Sequence, residues 1–308
     1  MVYKVMRPVV EKACALVMAA LFALPSSADD KGRLLLSISK AIHVSGAQVG
    51  VAVVIDGRDT LSVNDYVRYP LMSVFKFHQA LAVADYLKRH GMGMGEMVHV
   101  EASDMRKDTY SPLRDKYPAG NFDMSVGELL GYTLQLSDNN AADLLFRRFV
   151  SVGETDSYVR SLGVGEFKIA HDEAAMHEDI RRCYDNWTTP LAAANLLERF
   201  VTELAPGDER FGFIRQKMLE CTTRADRLAA PLAGKNVVLG HKTGTGDRNA
   251  DGNIIGVNDI GFVSLPNGHR YTIAVFVKDA ALEQSEASVI IAEISALVYA
   301  YVSSSVTE

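Results

Sequence analysis

Strand-like segments lie at both ends of this chain and helix-like segments fill its middle, and that arrangement limits the fold more than any single motif. Residues 47–56 (Ala-Gln-Val-Gly-Val-Ala-Val-Val-Ile-Asp) read as a mostly buried strand ending in a turn at Gly57. Residues 260–265 and 271–277 are apolar, β-branched runs separated by Pro266-Asn267-Gly268, the pattern of an antiparallel hairpin. Residues 236–241 make a further strand leading into Lys242. Residues 281–302 read as a helix with Val289, Ile290, Ile294, Leu297, Val298 and Tyr301 on one apolar stripe. Between these ends, residues 74–89, 125–132, 140–150 and 190–203 read as helices, the last opened by Thr189-Pro190. The expected class is α/β (α+β): an antiparallel sheet built from both termini, packed by the first and last helices, with an all-helical lobe inserted. A cleft between the lobes is the natural place for a site. There is no internal repeat, low-complexity stretch or flexible linker.

The first residues carry a different signal. Lys4, Arg7 and Lys12 precede an apolar run over 13–24, followed by Pro25-Ser26-Ser27-Ala28. This is the form of a secretory leader cleaved after Ala28. An uncleaved anchor is the alternative, but the run falls short of the ~20 residues needed to span a bilayer. Cys14 follows Glu11 and Lys12, which does not suit lipid attachment. No later segment is expected to be long and apolar enough to span. Residues 29–308 then form the mature domain, with one lobe at about 29–66 and 228–308 and the helical lobe at about 67–227. Its hydrophobic content (48% of the whole chain) suits a globular core, and a net charge of −6 gives no electrostatic reason to expect nucleic acid. Cys183 and Cys221 permit one bridge without making a disulfide scaffold.

Candidate chemistry sits in ordered polar clusters. Tyr69-Pro70 forces extended backbone, so a helix should begin just after it and place Ser73 in its first turn. Lys76 lies three residues on, on the same face and within reach of the hydroxyl. An ammonium held in a closed cleft can lose its proton and act as a base. Alone this is weak: a chain of this length carries about one Ser-x-x-Lys by composition, and Ser37-Ile38-Ser39-Lys40 is a second match. An N-capping serine and a solvated lysine explain either. Ser137-Asp138-Asn139 before a helix is equally a capped loop, or else a proton-shuttling hydroxyl (Ser137) and a substrate-clamping amide (Asn139). Lys242-Thr243-Gly244-Thr245 follows a strand. It is a strand end running into a glycine turn, or else a charge (Lys242), a hydroxyl (Thr243), a close backbone approach (Gly244) and an oxyanion N–H (Thr245).

The order Ser-x-x-Lys, Ser-Asp-Asn, Lys-Thr-Gly resembles class A serine β-lactamases and their penicillin-binding relatives over essentially the whole mature chain. That resemblance implies a β-lactamase/transpeptidase-like fold with a five-stranded antiparallel sheet, and a nucleophile at Ser73. Tyr110-Ser111-Pro112 resembles the segment that places an aromatic at the cleft mouth. Residues 171–177 through Asn186-Trp187-Thr188-Thr189-Pro190 resemble the family's Ω-loop, and counting back from Pro190 puts its deacylating acid on Glu173. Whether Lys76 or Glu173 serves acylation stays open. His171 and Asn186 stand where the family usually pairs Arg with Asp across the loop's neck, so that salt bridge is missing. His177, His241 and the Asn-Trp-Thr-Thr-Pro segment resemble the extended-spectrum PER/VEB-type branch and its anaerobe relatives. In that branch the carboxylate-binding arginine falls on Arg227, with Arg248 as runner-up. His171, Asp172, His177 and Cys183 match no common zinc spacing, so neither metal nor cofactor is expected. His177 is expected to hydrogen-bond Glu173 or its water.

The resemblance therefore implies a periplasmic monomer that hydrolyses penicillins and cephalosporins through a serine acyl-enzyme, with no membrane contact after leader cleavage. A D-Ala-D-Ala carboxypeptidase and a non-hydrolysing β-lactam sensor are the alternatives.

Overall fold

The computed structural model describes residues 27–304; residues 1–26, which hold nearly all of the expected leader, lie outside them. The main sheet has five antiparallel strands in the spatial order Asp59–Val63, Gln48–Ile55, Arg270–Ala280, Ile254–Ser264, Val238–Thr245. Both chain ends contribute, with Gln48 opposite Lys278 and Ile55 opposite Tyr271.

Alternation decides which face each side chain takes. Val51, Val53, Ile273 and Val275 pack with Leu34, Ile38, Ile294 and Val298 of the terminal helices Ser27–Ser45 and Gln284–Ser304. Ala52, Val54, Ala274 and Phe276 turn the other way, onto a core that includes Phe77, Ala193 and Phe200. Because both faces are covered, the strands read as continuous apolar runs. Gly50 is needed on that second face: a Cβ there would come within 2.4 Å of the Tyr69 ring.

The helical lobe is organised around Phe75–Arg89, which is buried on nearly every side by Val126–Gln135, Asn139–Arg148, Val152–Ser161 and Glu209–Leu219. Ser125/Glu128 and Ser151/Glu154 form reciprocal capping boxes. Thr189 caps Pro190–Arg199 with proline at its first position, where the missing N–H costs nothing.

Several expected boundaries move. The hairpin strands are longer than the apolar runs, because Asn258 and Asp259 are buried inside Ile254–Ser264 with internal hydrogen-bond partners. The edge strand runs to Thr245, so Lys242-Thr243-Gly244 lies within it rather than after it. In the last helix Val289 is 62% exposed, while Ile291 and Val302 are buried. That helix also meets the length and hydropathy test for a membrane span (21 residues, mean hydropathy 1.5), contrary to the expectation that none would. Its inner face packs on the sheet.

Candidate active site

The two lobes meet at a tight 3₁₀ turn, Met72–Val74, that runs directly into Phe75–Arg89. Ser73 is thus placed by the turn rather than by the first α-helical turn. Met72 adopts φ 47°, an uncommon left-handed conformation for a side-chain-bearing residue. Surrounding bonds hold it there. The Leu71 N–H donates to Asn186 O at 2.8 Å, and Asn258 Nδ2 donates to the carbonyls of Pro70 (2.7 Å) and Leu71 (3.1 Å). From the sheet side, a Cβ on Gly244 would lie 2.9 Å from Leu71 O and 3.2 Å from Ser73 N. Only glycine lets the edge strand close on the serine turn.

Lys76 is fully buried and gathers the cleft's oxygens. Its Nζ lies 3.0 Å from Ser73 Oγ, 2.9 Å from Ser137 O, 2.6 Å from Asn139 Oδ1 and 2.7 Å from Glu173 Oε1. Ser73 Oγ also reaches Glu173 Oε1 at 3.5 Å. Glu173 opens the short helix Glu173–Glu178, capped by Asp172. Its backbone N–H and that of Ala174 donate to the carboxylate of Asp143 at 2.9 and 3.0 Å. Burial, with Glu173 and Asp172 nearby, pushes Asp143 up to about 7.

Ser137 joins the two lysines. Its carbonyl accepts from Lys76, and its hydroxyl accepts from Lys242 Nζ at 2.9 Å, with the backbone at φ 60°. Asp138 is structural: it accepts from the Ala141 N–H (2.9 Å), the Leu113 N–H (2.6 Å) and Ser111 Oγ (3.0 Å). Asn139 spends both ends of its amide inside the protein, since Nδ2 donates to Thr109 Oγ1 at 2.8 Å while Oδ1 faces Lys76. Lys242 is fully buried and, among the described residues, donates otherwise to Thr243 O at 2.7 Å. Burial first, and the charge of Lys76 second, bring it down to about 7. Thr243 Oγ1 pairs with Thr223 Oγ1 at 2.6 Å.

Two residues expected to serve the substrate or its water have partners elsewhere in the protein. His177 does not reach Glu173; its Nε2 lies 3.0 Å from Asp108 Oδ2 across the cleft mouth. The Glu173 carboxylate is drawn inward by Lys76, leaving His177 the exposed acid. Arg227 is not open to the cleft. It is wholly buried, donating to Gly244 O and Asn258 O (both 2.8 Å) and to Thr245 Oγ1 (2.7 Å), and burial lowers it to about 10. Its partner Thr245 lines the cleft. Arg248 is tied to Gly252 O, Leu282 O and Glu283.

The loop's neck is closed by an amide instead of a salt bridge. Asn186 Oδ1 accepts from the N–H groups of Ala170 (2.7 Å) and His171 (2.9 Å), and its Nδ2 donates to His171 O. His171 itself turns to Asp185 at 3.0 Å. Cys183 and Cys221 are both free. Behind the edge strand His241 Nδ1 meets Asp259 at 3.0 Å. Burial opposes its charge, but Asp259 and the Cys221 thiol hold it up to about 10.

A cleft of about 560 Å³ opens over Ser73, lined by Tyr110 (58% exposed), Ser137, Asn139, Thr223, Arg224, Thr243 and Thr245. A smaller recess of about 240 Å³ adjoins it beside Glu173, Met176, His177 and Cys183. Sequence reasoning missed Asp143, Thr223 and Arg224. The sequence gives Asp143 no signal of its own, since Asn140 is buried in the same helix beside the apolar residues.

The beta-lactamase enzyme family model matches residues 34–302. A beta-lactamase of Phocaeicola vulgatus is 42% identical over 265 residues, covering 85% of this chain and 83% of the relative. The extended-spectrum beta-lactamase PER-1 of Pseudomonas aeruginosa is 33% identical over 256 residues, covering 83% and 82%. Among solved structures, the TLA-1 extended-spectrum beta-lactamase aligns with a TM-score of 0.84 at 38% identity, covering 88% of this chain and 98% of its own. A class A beta-lactamase from Bacteroides cellulosilyticus aligns at 0.85 with 37% identity, covering 90% and 99%. The motif order, the fold shared across nearly all described residues and these likenesses agree: the chain belongs to the beta-lactamase enzyme family and, within it, to class A.

Proposed function

We propose that the cleft opens β-lactam rings through an ester on Ser73 and clears that ester with a water directed by Glu173. The observation that carries this reading is the Lys76 ammonium, 3.0 Å from Ser73 Oγ and 2.7 Å from Glu173 Oε1. In acylation, Ser73 Oγ bonds to the lactam carbonyl carbon while its proton passes to Glu173 or, if deprotonated, Lys76; both stand within reach. The Ser73 and Thr245 N–H groups hold the oxyanion. As the C–N bond breaks, the Ser137 hydroxyl, oriented by its 2.9 Å contact with Lys242, gives its proton to the nitrogen and takes back the proton that Ser73 released, so that Glu173 is ionised again before deacylation. In deacylation Glu173 removes a proton from water, the hydroxide attacks the ester, and Ser73 regains its proton as it leaves. Lys242 and Thr243 meet the substrate carboxylate.

The recess beside Met176, His177 and Cys183 supports activity on cephalosporins with bulky side chains, and relatives described as extended-spectrum favour it. A rate panel of penicillins and oximino-cephalosporins tests this, and penicillin-only turnover rejects it. The same reading has the leader cleaved after Ala28 and the enzyme working as a periplasmic monomer on small β-lactams; a mature N-terminus other than Asp29 would move that boundary.

The mechanism is tested with Glu173→Gln. Intact-mass spectrometry after mixing with a penicillin should show the protein plus one whole substrate, persisting while the unsubstituted enzyme has already turned over. Normal turnover by the variant, with no adduct, would sink the role given to Glu173.

A further inference from the structure

We propose that Asp279, Tyr184 and Asn249 form a latch that fixes the width of the recess beside Glu173, so that a strand residue outside the cleft limits the size of the substrate's acyl side chain. The proposal rests on the β-lactam reading above and gives these residues a positioning role, exerted through the recess walls.

The recess takes its walls from distant parts of the chain. Met176, Ile180 and Cys183 belong to the segment that also carries Glu173, whereas Gly246 and Asp247 lie just past the edge strand. Tyr184 directly follows the first wall, and Asn249 stands two residues beyond the second. The two side chains meet, with Asn249 Nδ2 donating to Tyr184 Oη at 3.1 Å. Both also bond one carboxylate oxygen, Asp279 Oδ1, the tyrosine through its hydroxyl proton and the asparagine at 3.3 Å. Burial, and behind it the bond to Asp279, pushes the Tyr184 phenol up to about 12, so it stays a donor. Asn249 is itself held, because its Oδ1 accepts from the N–H groups of Asp251 (3.1 Å) and Asn253 (3.0 Å). Within the same turn the Ile255 N–H donates to Asp247 O at 3.0 Å. A shift of Asn249 is therefore passed on to Asp247.

The backbone of Asp279 is the independent observation. In the strand Arg270–Ala280, Lys278 pairs with Gly256 and Ala280 with Ile254, but Asp279 between them is missing from the register. It has φ 48°, a left-handed conformation inside a strand. Among the described residues no cation lies within ion-pair distance of its carboxylate, so no salt bridge accounts for the strain. A strained strand residue that bonds both walls of one cavity is a candidate for function. Glu173 is anchored apart from the latch, by Lys76 and through the Asp143 carboxylate. Releasing the latch should therefore loosen the recess without moving the acid.

The experiment uses the full mature enzyme and its Asp279→Gly, Tyr184→Phe and Asp279→Asn variants. Glycine accepts the left-handed backbone and phenylalanine keeps the ring, so both release the latch without adding strain. Asparagine tolerates the same backbone and keeps an acceptor. The first readout is alkylation of Cys183, a buried free thiol in the recess, by iodoacetamide, followed by peptide mass spectrometry with Cys221 as internal reference. Labelling of Cys183 should quicken about tenfold in Asp279→Gly and Tyr184→Phe and stay near the unsubstituted rate in Asp279→Asn. The second readout is kcat/KM for an oximino-cephalosporin divided by that for benzylpenicillin. This ratio should rise about fivefold in the first two variants and hold in the third. A ratio that holds or falls in all three, or unchanged labelling of Cys183, would overturn the proposal. A lowered Tm with equal losses on both substrates would also overturn it, by assigning the three residues to loop structure alone. If the unsubstituted enzyme turns over no β-lactam, the hydrolytic reading fails, whereas Cys183 labelling still confirms or rejects the latch.

Discussion

Two lysines are buried without exposure on opposite walls of one cleft, and the protein treats them differently. Lys76, on the helical wall, has a carboxylate at 2.7 Å and three further oxygens within 3.0 Å. Lys242, on the sheet wall, has a hydroxyl and a carbonyl, and among the described residues no acid within ion-pair distance. Burying a charge is costly unless it is paired. The helical wall meets that cost inside the protein; the sheet wall leaves it unmet, and Lys242 falls to about 7. In the function proposed above a substrate carboxylate supplies the partner, so that one wall moves protons and the other receives a charge.

The comparison breaks first at Lys76. Lys76→Ala should lower kcat/KM by ~10³-fold or more, read by nitrocefin hydrolysis. Lys76→Arg should not rescue it, because a planar fork cannot meet four oxygens arranged around one point. Near-normal activity in the arginine variant would reduce Lys76 to a mere counter-charge.

A smaller effect belongs to Lys242. Lys242→Ala should raise KM by about 10–100-fold with a lesser change in kcat. In the unsubstituted enzyme, KM should climb above pH 7 as Lys242 loses its proton. The sign for stability is opposite. Its folded value lies below the ordinary 10.5, so unfolding takes up a proton between about 7 and 10.5. This group's contribution to stability therefore rises with pH across that window. A flat KM from pH 6 to 9 would remove Lys242 as the waiting charge.

The smallest effect is expected at His177, on the outer edge of the helical wall. Because it pairs with Asp108 and not Glu173, His177→Ala should change kcat/KM by no more than about threefold. A tenfold fall in the deacylation rate would return His177 to the side of the hydrolytic water.

What could be read in advance follows physical range. The Ser73 and Lys76 pair was legible because helical spacing is local, although the turn before it depends on Asn186 and Asn258. Glu173 was legible only by counting from Thr189-Pro190 within a family pattern. Lys242-Thr243-Gly244 was placed after a strand because lysine and glycine are poor strand signals, yet pairing with residues 258–260 holds it in the sheet. Arg227 is placed at the substrate by the family pattern alone, and no local pattern announces the cage that Gly244, Thr245 and Asn258 make around it. The helices Val152–Ser161 and Glu209–Leu219 are polar enough to pass as loops, although Ser151 and Glu154 carried a start signal. Asp143 could not be found, since its role is fixed by two N–H groups thirty residues away.

Pairing the first strand with the last sheet strand also sets an order of events. Gln48 finds its neighbour only at Lys278, so the sheet cannot close until almost the whole chain has left the ribosome. The contacts of Phe75–Arg89 with Asn139–Arg148 and Val152–Ser161 need far less chain. Loop-closure cost grows with separation, and non-local strand pairing is slow. The helical wall can therefore gather early, while the edge strand that faces Ser73 must wait for the hairpin it pairs with. Catalytic competence is a last-minute property of this polypeptide, and a chain that stays open until its final strands arrive is one that can still be threaded through a pore.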